Sequence, residues 1–148
     1  MVDSADLNGI KKCNEFFPIS GVTTNPTIIS SAKSDFKQLL REIRDIIGDD
    51  KMLHVQTTKE KAEDIVEEAK LLNERLGGSF FVKIPIGEEG LKATMMLKKL
   101  GIGVTMTAIF TPTQALMAAM AGADFVAPYV NKLSDLCVDA IGVVGEIV

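Results

Sequence analysis

Lys83 is the residue of this sequence best placed to do chemistry. It sits in the run Phe80-Phe81-Val82-Lys83-Ile84-Pro85, where every other side chain is apolar. A lysine desolvated in such a strand has its pKa lowered and holds some free amine near neutral pH. A free amine is what attack on a carbonyl requires. The same position also fits a lysine that snorkels to water, or one paired with a carboxylate such as Asp3. Side chains alternate along a strand, so Phe81 shares a face with Lys83. By the same rule Thr23 goes with Asn25, His54 with Gln56, Thr105 with Thr107, and Ala127 with Tyr129. Asp3 closes one further, very short run. Six successive strands then finish with a polar or ionisable group near one rim, and burying so many is unfavourable unless they bond one another or a ligand. Taken singly, His54 reads as a packing histidine, and Gln56 and Thr107 as structural hydrogen-bonders.

The elements that must position these groups alternate regularly. Short apolar runs at Met1 to Asp3, Gly21 to Thr24, Met52 to Gln56, Phe80 to Ile84, Gly103 to Thr107 and Phe125 to Pro128 predict strands. Between them lie amphipathic helices. Phe36, Leu39, Leu40, Ile43, Ile46 and Ile47 form one apolar stripe, with Ser34 as N-cap and Gly48 as stop. Ala62, Ile65, Val66, Ala69 and Leu72 form a second, entered by a Thr57-x-x-Glu60 capping box and closed by Gly77-Gly78. Leu91 to Leu100 predicts a third, ended by Gly101. Thr111, Pro112 and Gln114 open a fourth, ended by Gly122. The methionines Met95, Met96, Met106, Met117 and Met120 read as core filler. Strands alternating with helices imply parallel strands joined by right-handed crossovers. An open doubly wound sheet and a β/α barrel both fit. Absence of the glycine-rich nucleotide fingerprints favours the barrel.

Composition bounds the rest. The 148 residues, 47% of them hydrophobic, suit one domain spanning residues 1–148. A net charge of −4 and a pI near 5.0 argue against a non-specific nucleic-acid surface. No apolar run is long enough to span a bilayer, and Asp3 and Asp6 stand where a signal peptide would be basic or apolar. Cys13 and Cys137 lack metal or redox spacing and read as reduced thiols of a cytoplasmic protein. A metal site is poorly supported because His54 is the only histidine, and no cofactor is expected.

The segment Gly21-Val22-Thr23-Thr24-Asn25-Pro26-Thr27 resembles the corresponding segment of the transaldolase family. The resemblance continues through Val82-Lys83-Ile84-Pro85, Gly90-Leu91, Thr107-Ala108-Ile109-Phe110 and Ala121-Gly122-Ala123 to Ala127-Pro128-Tyr129-Val130-Asn131. It implies a (β/α)8 barrel in which the lysine matched by Lys83 forms a Schiff base. Gln56 and Tyr129 match the fructose-6-phosphate aldolase subgroup, where true transaldolases carry glutamate and phenylalanine. The implied reaction is reversible cleavage of fructose 6-phosphate to dihydroxyacetone and glyceraldehyde 3-phosphate, without metal. The alternatives are transfer of the dihydroxyacetone unit between sugar phosphates, and a remnant or assembly partner without activity. By the same resemblance, Gln56, Thr107 and Tyr129 hold a reactive water, with Tyr129 as proton shuttle. Asp3 and Asn25 bond substrate hydroxyls, and Thr23 shapes the pocket. Lys132 stands where the family has a phosphate-binding arginine. Only about the first six βα units precede Val148, so the expectation is a truncated barrel. Such a piece is expected to associate as a homo-oligomer and to hold phosphate weakly, because the family's phosphate-binding serine has no match.

Overall fold

The computed structural model describes residues 1–26, 35–136 and 139–148. Its elements follow in the order β1 (Val2–Asp3), α1 (Leu7–Phe16), β2 (Gly21–Thr23), α2 (Phe36–Ile47), β3 (Met52–Gln56), α3 (Ala62–Leu76), β4 (Phe80–Pro85), α4 (Glu88–Lys99), β5 (Gly103–Ile109), α5 (Pro112–Met120), β6 (Phe125–Pro128), α6 (Val130–Asp135) and α7 (Ala140–Ile147). The six strands form one sheet in the order β1-β2-β3-β4-β5-β6, every pair parallel. A doubly wound sheet reverses its strand order at a switch point. This sheet never does, and it curls as part of a β/α barrel.

The strands have two different faces. Val22, Leu53, Val55, Val82, Ile84, Val104 and Met106 are fully buried and pack in one cluster with Leu40, Ile43, Ala69, Ala93 and Leu97 of the helices. The core therefore lies between sheet and helices. The alternate residues, Lys83 among them, face the barrel interior. One glycine fits that interior by its lack of a side chain: a Cβ on Gly103 would lie 2.5 Å from the Phe81 ring.

Helix ends match the sequence in part. Thr111 and Gln114 form the expected capping box, and Gly48, Gly77, Gly101 and Gly122 take positive φ at or just beyond helix ends. The cap of α2 is Asp35, which accepts from Lys37 N at 2.8 Å; the expected cap, Ser34, lies outside the described residues, as does Cys137. The Thr57-x-x-Glu60 box does not form. Helix α3 starts later, after Lys61, which makes no side-chain cap. Glu89 of the next helix accepts from Ala62 N at 2.7 Å instead, and Thr57 donates to Glu68. A carboxylate brought in by the fold replaced the local one. The methionines divide as well: Met106 is buried, but Met95, Met117 and Met120 are exposed, so these three are not core filler.

A bulge interrupts the β5–β6 ladder. Thr107 pairs with Ala127 and Ile109 with Pro128, leaving Ala108 as the extra residue, at φ 58°. A left-handed conformation disfavours any side chain, and a β-branched one most. Ala108→Gly is therefore expected to raise stability by up to about 1 kcal/mol, the relief exceeding the extra entropy of the unfolded chain. Ala108→Val is expected to lower it by roughly 2 kcal/mol. Urea unfolding of the three proteins checks the order; a valine variant as stable as the parent would contradict it.

Candidate active site

The carboxyl ends of the strands surround a cavity of about 830 Å³. All eight residues singled out from the sequence line it: Asp3, Thr23, Asn25, Gln56, Lys83, Thr107, Tyr129 and Lys132. A parallel ladder brings them together. Asp3 pairs with Thr23, Gln56 with Lys83, and Thr107 with Ala127.

Lys83 is buried at 9% exposure, and its amine is held by neutral acceptors. Nζ donates to Thr23 Oγ1 at 3.0 Å and to the Thr24 carbonyl at 3.2 Å. Thr24 is itself fixed by β3, since its N and Oγ1 donate to the His54 carbonyl at 2.9 and 3.3 Å. No direct ion pair joins Lys83 to Asp3. Burial pushes the Lys83 pKa below its ordinary value, and the more distant charge of Asp3 opposes this only in part. A free amine has two N–H donors and one lone pair. In that form the two acceptors would take both donors.

Three polar side chains on the cavity wall are uncommitted. Among the described residues, none makes a hydrogen bond to the Gln56 amide, the Thr107 hydroxyl or the Tyr129 hydroxyl, although Thr107 is 1% exposed. Tyr129 sits after β6, its N–H donating to the Ile109 carbonyl across the bulge at 3.0 Å and its ring edge-on to Phe110. Lys132 is exposed on α6. Among the described residues no three His, Cys, Asp or Glu side chains come together as a metal-binding group, and no helix is long and apolar enough to cross a membrane.

The sequence reading missed what lies beside Lys83. His54 stacks on Phe81 at 4.7 Å and meets Phe125 edge-on at 5.3 Å. Its Nδ1 is 2.7 Å from Thr105 Oγ1, while Nε2 is buried without a partner. Strand alternation already placed His54 with Gln56 and Thr105 with Thr107; what it lacked was the cross-barrel contact that joins the two pairs. Burial, and then the nearby Lys83 charge, lower the His54 pKa to about 4.

That shift has a measurable consequence. An unfolded histidine protonates near pH 6.5 and the folded one near 4, so between these values the unfolded chain binds more protons and stability rises with pH. The contribution is present above about pH 6.5 and is lost as pH falls through 4, by on the order of 3 kcal/mol in all. Urea titrations from pH 7 to 4 are expected to show this loss in the parent and a shallower one in His54→Phe. Equal slopes would place the His54 pKa near its ordinary value.

The chain matches the family described as Transaldolase/Fructose-6-phosphate aldolase over residues 1–147. It is 38% identical over 148 residues to a probable fructose-6-phosphate aldolase of Streptococcus pneumoniae (strain ATCC 700669 / Spain 23F-1), covering 99% of this chain and 67% of that relative. Among solved structures, the native KDPGal structure superposes with a TM-score of 0.54 at 19% identity, over 83% of this chain and 51% of that one. An enolase from Bradyrhizobium complexed with magnesium and mandelic acid gives 0.59 at 13% identity, over 93% and 42%. At such identities the two structures speak for the fold alone, and the chain spans about half the length of each. The match over residues 1–147 and the 38% identity show the family: the chain belongs to the transaldolase/fructose-6-phosphate aldolase family.

Proposed function

We propose that the site performs Schiff-base aldolase chemistry, reversibly cleaving fructose 6-phosphate to dihydroxyacetone and glyceraldehyde 3-phosphate. The observation that carries this reading is the buried Lys83 amine, its pKa lowered and its two hydrogen bonds made to neutral acceptors. The Lys83 nitrogen adds to the C2 ketone, and loss of water gives an iminium ion. The C4 hydroxyl then gives up its proton while the C3–C4 electron pair moves towards the iminium. This releases the aldehyde and leaves an enamine. Protonation at C3 and hydrolysis by water return the amine and free dihydroxyacetone.

The proton transfers need a positioned acid and base. Gln56, Thr107 and Tyr129 supply uncommitted groups to hold a water, with Tyr129 as shuttle. Asp3 and Asn25 bond substrate hydroxyls, and Thr23 sets the amine. Lys132 offers the phosphate a single point charge without the fork of an arginine. Gln56 and Tyr129 favour cleavage over transfer of the three-carbon unit, because an amide and a phenol hold water differently from a carboxylate and a phenyl ring.

Two experiments test the reading. Borohydride with dihydroxyacetone is expected to fix one adduct on Lys83, located by mass spectrometry of peptides. Lys83→Met is expected to abolish the adduct and to stabilise the fold by about 1 kcal/mol, since an apolar chain replaces a desolvated amine. An adduct elsewhere, with Lys83 unmodified, would sink the assignment. Gln56→Glu combined with Tyr129→Phe is expected to move activity from cleavage towards transfer, measured as the product ratio with an acceptor aldehyde present. An unchanged ratio would show that these positions do not govern it.

A further inference from the structure

We propose that Thr105, oriented by His54, is a specificity-determining residue of the Lys83 site, donating its hydroxyl proton to a substrate hydroxyl beside the captured carbonyl. The inference rests on the Schiff-base reading of Lys83 and adds a recognition element to it.

The argument starts from an unpartnered atom. His54 is 3% exposed, and its Nε2 is buried with no hydrogen-bond partner. Neutral imidazole carries one proton, on either ring nitrogen. If Nε2 carried it, a buried N–H would have no acceptor, since the rings packed on His54 belong to Phe81 and Phe125. Orphaned buried N–H groups are rarer than under-used acceptors. The proton therefore sits on Nδ1, which donates to Thr105 Oγ1 at 2.7 Å. Burial and the neighbouring Lys83 charge keep the ring neutral, so this arrangement persists at physiological pH.

The tautomer decides what Thr105 does. Had Nδ1 been the acceptor, the Thr105 proton would be spent on it. With Nδ1 as donor, the Thr105 oxygen is the acceptor and its proton must go elsewhere. Among the described residues no protein group accepts it. Thr105 is paired with Lys83 across the β4–β5 ladder, and both line the same cavity. Adjacent strands lie about 4.8 Å apart, and Nζ is held on the Thr23 side of the shared cavity, so one substituent of a carbonyl carbon bonded to it would turn back across the cavity towards Thr105. The fitting substrate is a ketone with a hydroxyl on an adjacent carbon. His54, which would not touch the substrate, is a positioning residue.

Two measurements test this. His54 is the only histidine of the chain, so its ¹⁵N resonances are unambiguous. They are expected to show a protonated Nδ1 and a bare Nε2; a protonated Nε2 would overturn the proposal. Borohydride trapping then compares dihydroxyacetone with acetone, which lacks the hydroxyls. Thr105→Val is expected to lower the dihydroxyacetone-to-acetone ratio of Lys83 adducts by roughly 3- to 10-fold, the worth of one hydrogen bond. Thr105→Ser is expected to restore most of it. His54→Phe is expected to lower it too, with no further loss in the double variant. Should Thr105→Val not fold, Thr105→Ala gives the same comparison. An unchanged ratio, with the parent still labelled on Lys83, overturns the role of Thr105 and leaves the Schiff-base reading standing. No Lys83 adduct in the parent with either ketone overturns both.

Discussion

The structure turns on desolvating one lysine amine without placing a counter-charge in contact with it. Desolvation lowers the Lys83 pKa, whereas a carboxylate in direct contact would raise it and remove the nucleophile. Threonine and carbonyl oxygens hold the amine in place and do not favour its charged form as strongly as an ion pair would. Asp3 lines the same cavity but makes no ion pair with the amine. Lys83 also cannot easily escape to solvent. Val82 and Ile84 on either side of it are fully buried against the helices, and β4 lies inside the sheet with hydrogen-bonded neighbours on both edges.

The support for that amine is built by register. Thr23 pairs with His54, and Gln56 pairs with Lys83. Because all the strands run the same way, three consecutive strands bring their ends towards one nitrogen. The His54 carbonyl fixes Thr24, and the Thr24 carbonyl in turn accepts from Lys83. A shift of one residue in β2 would turn Thr23 away from the cavity and present Val22 in its place. On the far side the bulge at Ala108 sets where β5 meets β6, and the Tyr129 N–H bonds across it to Ile109.

The sequence made the strand ends legible because alternation has a fixed period. Knowing that Phe81 and Lys83 share a face requires no tertiary information. The same holds for the apolar stripe of α2, whose Leu39, Leu40, Ile43 and Ile47 are buried as the spacing predicts. What could not be read were choices settled by contacts distant in sequence. Glu89 and Glu68 displaced the Thr57–Glu60 box because the fold brings their carboxylates to Ala62 and Thr57. The left-handed Ala108 was hidden because nothing in an alanine announces positive φ. His54 looked like a packing residue, and by its rings it is one. Its bond to Thr105 spans 51 residues of sequence and depends on the curl of the sheet.

Two buried cations show how the fold separates stability from chemistry. Arg44 lies towards the amino ends of the strands, where its guanidinium donates to the carbonyls of Gly48, Lys51 and Ser79. Lys51 and Ser79 immediately precede β3 and β4, so one side chain ties a helix end to the start of two strands. An arginine is always charged, and three carbonyls use it as a fixed structural pin. Lys83 lies near the opposite ends of the same sheet, with two neutral acceptors and uncommitted polar groups across the cavity. In β/α barrels the amino-end face serves stability and the carboxyl-end face carries reactive groups. Here that division appears in the identity of the buried base. The residue that cannot lose its proton holds the strands together, and the residue that can lose it faces the open cavity.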